Sequence, residues 1–113
     1  MHVDARKTGD VVIVDLNGDL VAGDGDEILR DVITELLGEG WRKILLNLSK
    51  VHRLDSSGIG EIVAGWKLAG RFEASLKLVR LGDRVRHTLH LSQVLPLLEV
   101  YETEHEALAH FAG

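Results

Sequence analysis

The sequence predicts an α/β sandwich in which about four helices cover a mixed, mostly parallel sheet of roughly four to five strands. Apolar, β-branched runs alternate along the chain with segments whose apolar residues recur at helical spacing. Turn residues, mainly glycines, separate these segments. Because a helix that joins two strands of one sheet makes them parallel, only the first two strands are expected to form an antiparallel hairpin.

The first half of the chain predicts a hairpin followed by a helix. A strand is possible at residues 2–6, and the run at 11–14 predicts a second strand that ends in a turn at Asn17 and Gly18. Asp24 or Asp26 is available to cap the helix that follows. The predicted apolar stripe of this helix consists of Ile28, Leu29, Val32, Ile33, Leu36 and Leu37. Gly38 and Gly40 are expected to end the helix.

The second half predicts strands and helices in alternation. A buried strand at 42–48 leads through 49–54 to a turn, and a helix is expected from about residue 57 to about residue 73. A strand at 76–79 precedes another helix, and Pro96 interrupts the pattern before a short strand at 99–101. Apolar residues mark the last two predicted helices: Val85, Leu89 and Leu91, then Ala107, Leu108 and Phe111.

The composition predicts a single domain over residues 1–113 of a cytoplasmic protein. Hydrophobic residues make up 45% and charged residues 27%, which is typical of a globular chain. There is no cysteine, so disulfides and thiolate metal sites are excluded and a reducing compartment is indicated. The net charge of −5, with no basic stripe, argues against nucleic-acid binding. No apolar stretch is long enough for a membrane span, and no secretory signal is visible.

The segment most informative about function is Asp55-Ser56-Ser57-Gly58. It lies where a buried strand is followed by a helix, and the free N–H groups of a helix start favour negative charge. It also lies at the carboxyl end of a strand, where sites in α/β sheets gather. On residue chemistry alone, one of the polar residues caps the helix, or Ser56 or Ser57 accepts a phosphate. Gly58 and Gly60 leave room for a second backbone to approach.

A resemblance to a known family rests on three motifs: Gly18-Asp19-Leu20, Leu46-Asn47-Leu48-Ser49 and Asp55-Ser56-Ser57-Gly58-Ile59-Gly60. Together they resemble the STAS domain, the fold of bacterial anti-sigma factor antagonists, over nearly the whole chain. The resemblance implies a STAS-like sandwich, and it identifies Ser56, directly after the aspartate, as the phosphorylation site. It further implies a partner-binding switch region made of Asp19, Asp55, Ser57, Gly58 and Gly60.

The resemblance also implies a regulatory cycle with two protein partners. The unphosphorylated protein is expected to bind an anti-sigma factor that is also a serine kinase, which frees a sigma factor for transcription. Phosphorylation of Ser56 by that kinase ends the complex, and a serine phosphatase restores the hydroxyl. The protein itself is expected to be a monomer or weak dimer without enzymatic activity or cofactor.

Position 21 departs from the family pattern, because an acidic residue usually follows the Gly-Asp-Leu triplet and this chain has Val21. The departure keeps an alternative open, namely a STAS subunit of a larger signalling or transport assembly that uses the same surface for protein contact. A nucleotide- or lipid-binding module is a more distant alternative, but no glycine-rich phosphate loop supports it.

The sequence supports neither catalysis nor metal binding. Ser56 has no Gly-x-Ser-x-Gly surroundings, so a nucleophilic serine is not indicated. His87 and His90 can share a helix face, as can Glu106 and His110. Neither pair supplies the three or four ligands that a metal site needs, so no metal is expected.

Overall fold

The computed structural model describes residues 1–111, and within this range the chain forms one sheet with helices on both faces. The strands are β1 (His2–Thr8), β2 (Val11–Leu20), β3 (Lys43–Leu54), β4 (Ser75–Val79) and β5 (Val100–Tyr101). The helices are α1 (Asp26–Gly38), α2 (Ser56–Arg71), α3 (Asp83–Leu91) and α4 (Glu104–Phe111), and a 3₁₀ turn covers Leu95–Leu97.

The sheet is mixed, with the strands in the order β1-β2-β3-β4-β5. β1 and β2 form an antiparallel hairpin, whereas the remaining neighbours pair in parallel. Each parallel connection contains a helix, as parallel pairing requires. The predicted fold class, a mostly parallel sheet with about four helices, is therefore confirmed.

Two clusters of buried side chains hold the layers together. The larger cluster joins α1, α2 and α3 to one face of β2, β3 and β4. The smaller cluster packs α4 against the opposite face and consists of Val11, Ile13, Leu45, Val79, Ala107 and Phe111. Because the central strands are covered on both faces, residues 11–14 and 44–46 are buried at every position and do not alternate.

β2 and β3 extend well beyond their predicted ends. The prediction of a turn at Asn17 and Gly18 is wrong, because β2 continues to Leu20. Residues 49–54, expected only as a connection, belong to β3. The two extensions pair with each other in parallel, with shifts of register, and Gly18 has a φ of 131° within the strand. Strand pairing thus overrides the local turn signal, and glycine accommodates the irregular backbone.

The start of α1 also differs from the prediction. Its N-cap is Gly25, with a φ of 106°, and no side chain caps the helix. Asp26 instead accepts the N–H groups of Gly23 (3.2 Å) and Glu27 (2.9 Å). The expectation that Asp24 or Asp26 caps α1 is therefore wrong. The positive φ at Gly25 turns the chain into the helix, and the Asp26 carboxylate is left to hold the preceding loop through Gly23.

Most, but not all, of the predicted apolar residues are core residues. Ile28 is 40% exposed and Leu91 is 66% exposed, so the prediction that they line the packed faces is wrong. Ile28 lies in the first turn of α1, where its neighbour Leu29 and not Ile28 faces the core, and Leu91 is the last residue of α3. Val32 is half-buried, and the remaining stripe of α1 is buried: Leu29, Ile33, Leu36 and Leu37.

One edge of the sheet collects the elements on which the candidate site is built. The carboxyl ends of β2, β3 and β4 lie there, because these strands are parallel. α1, α2 and α3 each begin shortly after one of these strands, so their N-terminal ends meet at the same edge. The Asp55-Ser56-Ser57-Gly58 segment is the middle one of these three strand-to-helix junctions.

Candidate functional site

The Asp55-Ser56-Ser57-Gly58 segment joins β3 directly to α2. Asp55 has extended backbone (φ −110°, ψ −174°) and is the N-cap, while Ser56 is the first helical residue. Asp55 Oδ1 accepts the N–H of Gly58 at 3.0 Å. The aspartate is therefore the cap among the polar residues that the sequence left open, and neither serine is needed for that role.

The second carboxylate oxygen of Asp55 reaches another segment of the chain. Its Oδ2 accepts the N–H of Ala22, just beyond β2, at 2.9 Å. These backbone donors, Ala22 first and Gly58 second, lower the pKa of Asp55 below its ordinary value. The carboxylate is therefore ionised at neutral pH, and it ties the loop after β2 to the start of α2.

The two serines differ in their accessibility. Ser56 is exposed, whereas Ser57 is half-buried. The side chain of a first helical residue projects outward, and the N–H groups of the helix start supply partial positive charge nearby. Exposure therefore favours Ser56 over Ser57 as the hydroxyl that another protein can reach.

The two glycines of the segment have different surroundings. Gly58 is buried, and a Cβ on it would lie 2.1 Å from the carbonyl oxygen of Leu20 and 2.8 Å from Leu54 Cδ1. Gly60 is exposed, and a Cβ on it would meet nothing within 4 Å. The missing side chain at Gly58 therefore serves packing inside the protein, while Gly60 leaves an open surface on α2.

Asp19 lies at the same edge, next to the end of β2. It is half-buried, and its Oδ2 lies 3.5 Å from Nη1 of Arg53 on β3. The carboxylate of Asp55 is instead held by backbone N–H groups. The fold thus brings both predicted carboxylates to one edge but stabilises their charges differently.

Two arginines at this edge are not predicted from the sequence. Arg53 and Arg84 line a cavity of about 190 Å³ together with Val21 and Asp55. Arg84 lies in the first turn of α3, so the parallel topology alone could have placed it beside α2. Arg53 lies on β3, two residues before Asp55, but belongs to no recognisable motif. Both arginines line the same cavity as Asp55, and Arg53 also lies 3.5 Å from the Asp19 carboxylate.

Within residues 1–111, no three His, Asp or Glu side chains converge in a way that could hold a metal ion. His110 lies at 2.9 Å from the carbonyl oxygen of Glu106 through Nδ1, and its ring stacks at a tilt on Tyr101. In the same range, every helix is too short or too polar to cross a membrane.

The fold and the site define an α/β domain with an exposed serine at the start of the helix that follows its third strand. A family model of the STAS domain matches residues 2–107, and the chain belongs to this family.

Proteins similar in sequence or structure carry the names of anti-sigma factor antagonists. A protein of Thermotoga neapolitana, whose name assigns it provisionally to the anti-sigma factor antagonists, is 33% identical over 92% of each chain. A crystal structure from Thermotoga maritima, with the same provisional name, has a TM-score of 0.88 and 28% identity, and covers 96% of this chain and 92% of the other.

The Bacillus cell fate determinant SpoIIAA, in its phosphorylated form, shares the fold. It has a TM-score of 0.73 and 21% identity, and the match covers 97% of this chain and 99% of SpoIIAA. The same protein has been solved unphosphorylated as an anti-sigma factor antagonist.

Proposed function

We propose that this protein is an anti-sigma factor antagonist that works by reversible phosphorylation of Ser56. The observation that carries the proposal is an exposed hydroxyl on the first residue of α2, directly after the ionised N-cap Asp55. A kinase can reach such a hydroxyl without unfolding the domain. The names of the relatives support the antagonist role, and SpoIIAA supports the occurrence of a phosphorylated form in this fold.

The proposed cycle alternates between two protein partners. The unphosphorylated protein binds an anti-sigma factor with serine kinase activity, and the sigma factor is released. The kinase transfers the γ-phosphoryl group of ATP to Ser56 Oγ, ADP leaves, and the hydroxyl proton is taken up by the kinase. A serine phosphatase later hydrolyses the ester. In this proposal the protein is a cytoplasmic substrate and binding module, with no catalytic activity of its own.

The charge of the phosphate explains why phosphorylation separates the partners. A phosphoserine carries about −1.5 to −2 charge at neutral pH. The start of α2 favours this charge by about 0.3–1 kcal/mol when the site is exposed. The ionised Asp55 opposes it, since its carboxylate belongs to the adjacent residue. In the free protein water screens that repulsion, so the phosphorylated domain stays folded.

The balance changes when a partner covers the site. The partner removes water from the phosphate and from Asp55, so both the repulsion and the cost of burying charge increase. A difference of about 4 kcal/mol between the free and bound states would weaken binding about 10³-fold, which is sufficient for a switch. A phosphate on Ser56 is therefore compatible with the fold and incompatible with the complex.

Val21 is the observation that favours the second candidate function, a STAS subunit of a larger assembly. This half-buried residue lines the cavity beside Asp55, at the position where the family usually has an acid. An apolar residue there changes which partner surface fits. Sedimentation of the protein from cell extract separates the two functions, because a scaffold subunit sediments with a large complex and an antagonist does not.

The decisive experiment is phosphorylation by a candidate anti-sigma kinase with ATP, followed by intact mass and phosphopeptide analysis. We expect one added phosphate, located on Ser56. The Ser56→Ala variant should remain unmodified, and the matched Ser57→Ala variant should be modified as wild type. Phosphate on Ser57, or partner release by ATP in Ser56→Ala, would show that the switch lies elsewhere.

A further inference from the structure

The groove between α1 and α2, called the α1–α2 groove below, is a second surface feature outside the Ser56 edge. It encloses about 300 Å³ and is lined by Ile33 on one side and by Ala64 and Leu68 on the other. Gly65 lies between the helices, and a Cβ on it would be 2.5 Å from Ile33 Cδ1. The two helices are thus in close contact below the groove, which leaves an apolar channel along their surface.

The rim of the α1–α2 groove is positively charged. It carries the cations Arg30, Lys67 and Arg71 and a single carboxylate, Glu61. Arg30 and Glu61 neutralise each other through hydrogen bonds of 3.0 and 2.6 Å. Lys67 and Arg71 are exposed, and within residues 1–111 neither has a carboxylate at ion-pair distance. The groove is therefore basic on a protein whose net charge is −5.

The acidic residues of α1 do not cancel this charge. Asp26, Glu27, Asp31 and Glu35 lie on the same helix but do not line the groove. Asp26 and Glu27 act on Arg30, which Glu61 already neutralises, and leave Lys67 and Arg71 unpaired among the described residues. An apolar channel flanked by unpaired cations is complementary to a helix with an apolar face bordered by acidic residues. A basic segment would meet repulsion at Lys67 and Arg71, and a neutral one would leave their charge uncompensated.

We propose that the α1–α2 groove seats an acidic amphipathic helix of a protein partner. Apolar side chains of that helix pack against Ile33 and Leu68, and its carboxylates pair with Lys67 and Arg71. The inference rests on the proposed function, because it names the surface by which the anti-sigma factor is held.

The groove and the phosphorylation site lie on one helix but are far enough apart to act separately. Ser56, Gly60 and Ala64 are exposed at intervals of one turn on α2, and Lys67 follows them towards the C-terminal end. At 1.5 Å per residue, Lys67 is about 16 Å from Ser56 along the helix. Screening at physiological salt acts over about 8 Å. Charge reversal at Lys67 and phosphorylation at Ser56 are therefore expected to weaken partner binding additively.

The test is an NMR titration of the full chain, labelled with ¹⁵N, with a synthetic amphipathic peptide that has leucine on one face and glutamate beside it. We expect saturable shifts at Ile33, Ala64 and Leu68. The Lys67→Glu/Arg71→Glu variant should bind the peptide at least about tenfold more weakly. A control with the same change in net charge, Lys7→Glu/Lys50→Glu, alters exposed strand residues and should bind as wild type.

Several results would overturn the inference. They are the absence of saturable shifts in the groove, equal affinity for a peptide with lysine in place of glutamate, and equal binding by the two charge-reversal variants. Self-association of the protein that the Lys67→Glu/Arg71→Glu variant abolishes would assign the groove to a second copy instead. Phosphorylation of Ser56 in the Lys67→Glu/Arg71→Glu variant is measured separately by mass. A failure of the proposed phosphorylation switch is therefore distinguishable from a failure of peptide binding in the groove.

Discussion

Gly58 packs directly against the backbone of Leu20. A Cβ on Gly58 would lie 2.1 Å from the carbonyl oxygen of Leu20, closer than any side-chain atom can approach. The same carbonyl accepts the N–H of Asp55 at 3.4 Å. The end of β2 and the start of α2 are thus held as one rigid unit, and the exposed Ser56 projects from it.

The Gly58→Ala variant is expected to lose at least about 2–3 kcal/mol of unfolding free energy. The added methyl group would collide with a backbone oxygen, which cannot rotate aside as the end of a side chain can. Urea unfolding followed by circular dichroism measures the loss.

Gly60→Ala is the matched control for this prediction. A Cβ there meets nothing within 4 Å, so alanine should stabilise α2 by about 0.5–1 kcal/mol through its better helix propensity. Equal effects of the two substitutions would contradict the assignment of Gly58 to internal packing.

Asp55 is expected to stabilise the fold in its charged form only. Its pKa is lowered in the folded protein by the N–H groups of Ala22 and Gly58, so its contribution is complete above the ordinary aspartate pKa of about 3.9. The contribution is lost as the pH falls through the lower, folded-state value.

The Asp55→Asn variant should therefore melt below wild type at pH 7, and the difference in Tm should shrink as the pH falls below about 4. The pKa values of Asp10 and Asp15 are lowered as well, but these groups are present in both proteins and cancel in the comparison. Differential scanning calorimetry of both proteins between about pH 3 and about pH 7, a range that includes the ordinary aspartate pKa, measures how the difference in Tm depends on pH. A difference independent of pH would indicate that shape, and not charge, matters at this position.

A further stability prediction concerns Lys77, which lies on the face of the sheet that α4 covers. It is 6% exposed on β4, pairs with Glu99, and places its ammonium 5.2 Å from the ring centre of Phe111. Lys77→Met should be within about 1.5 kcal/mol of wild type or more stable, because methionine fills the space without a charge to bury.

The Lys77→Ala variant should instead lose about 2–3 kcal/mol, since it leaves a cavity beneath α4. Denaturant unfolding compares the two variants. If methionine were as destabilising as alanine, the pairing of Lys77 with Glu99 would matter more than its volume.

Charge at Ser56 is expected to weaken partner binding. Ser56→Asp places a carboxylate where the phosphate is proposed to act, next to the ionised Asp55, and should raise the Kd for the anti-sigma factor about tenfold or more. Isothermal titration calorimetry measures the Kd. The variant Ser56→Asn, similar in size and uncharged, is the control and should bind more tightly than Ser56→Asp. Equal affinities of wild type and Ser56→Asp would count against the mechanism.

The fold class could be predicted because the sequence carries its signals locally. Continuous apolar runs mark strands covered on both faces, as residues 11–14 of β2 show, and the stripe ending at Leu37 marks a helix with one buried face. The alternation of the two patterns then requires parallel pairing. The predicted edge at which Ser56 lies follows from this topology, because parallel strands end on the same side.

Details that depend on neighbouring elements could not be predicted in this way. Gly18 carries a turn signal but remains in β2, because β3 supplies hydrogen-bond partners along the extension. Ile28 continues the apolar stripe of α1, yet it is 40% exposed while its neighbour Leu29 is fully buried. Local propensity and spacing contain no information about which of two adjacent apolar residues a neighbouring layer covers.

By itself, the sequence determined the order of strands and helices, the mostly parallel sheet and the junction that holds Ser56. Only the tertiary structure decided that Asp55 is the cap and is bound by Ala22, that Arg84 lies beside it, and that Gly58 serves packing against Leu20. The physical reason is the range of the interactions. Periodicity and turn residues act between near neighbours in the chain, whereas these contacts join segments that meet only after the strands have paired.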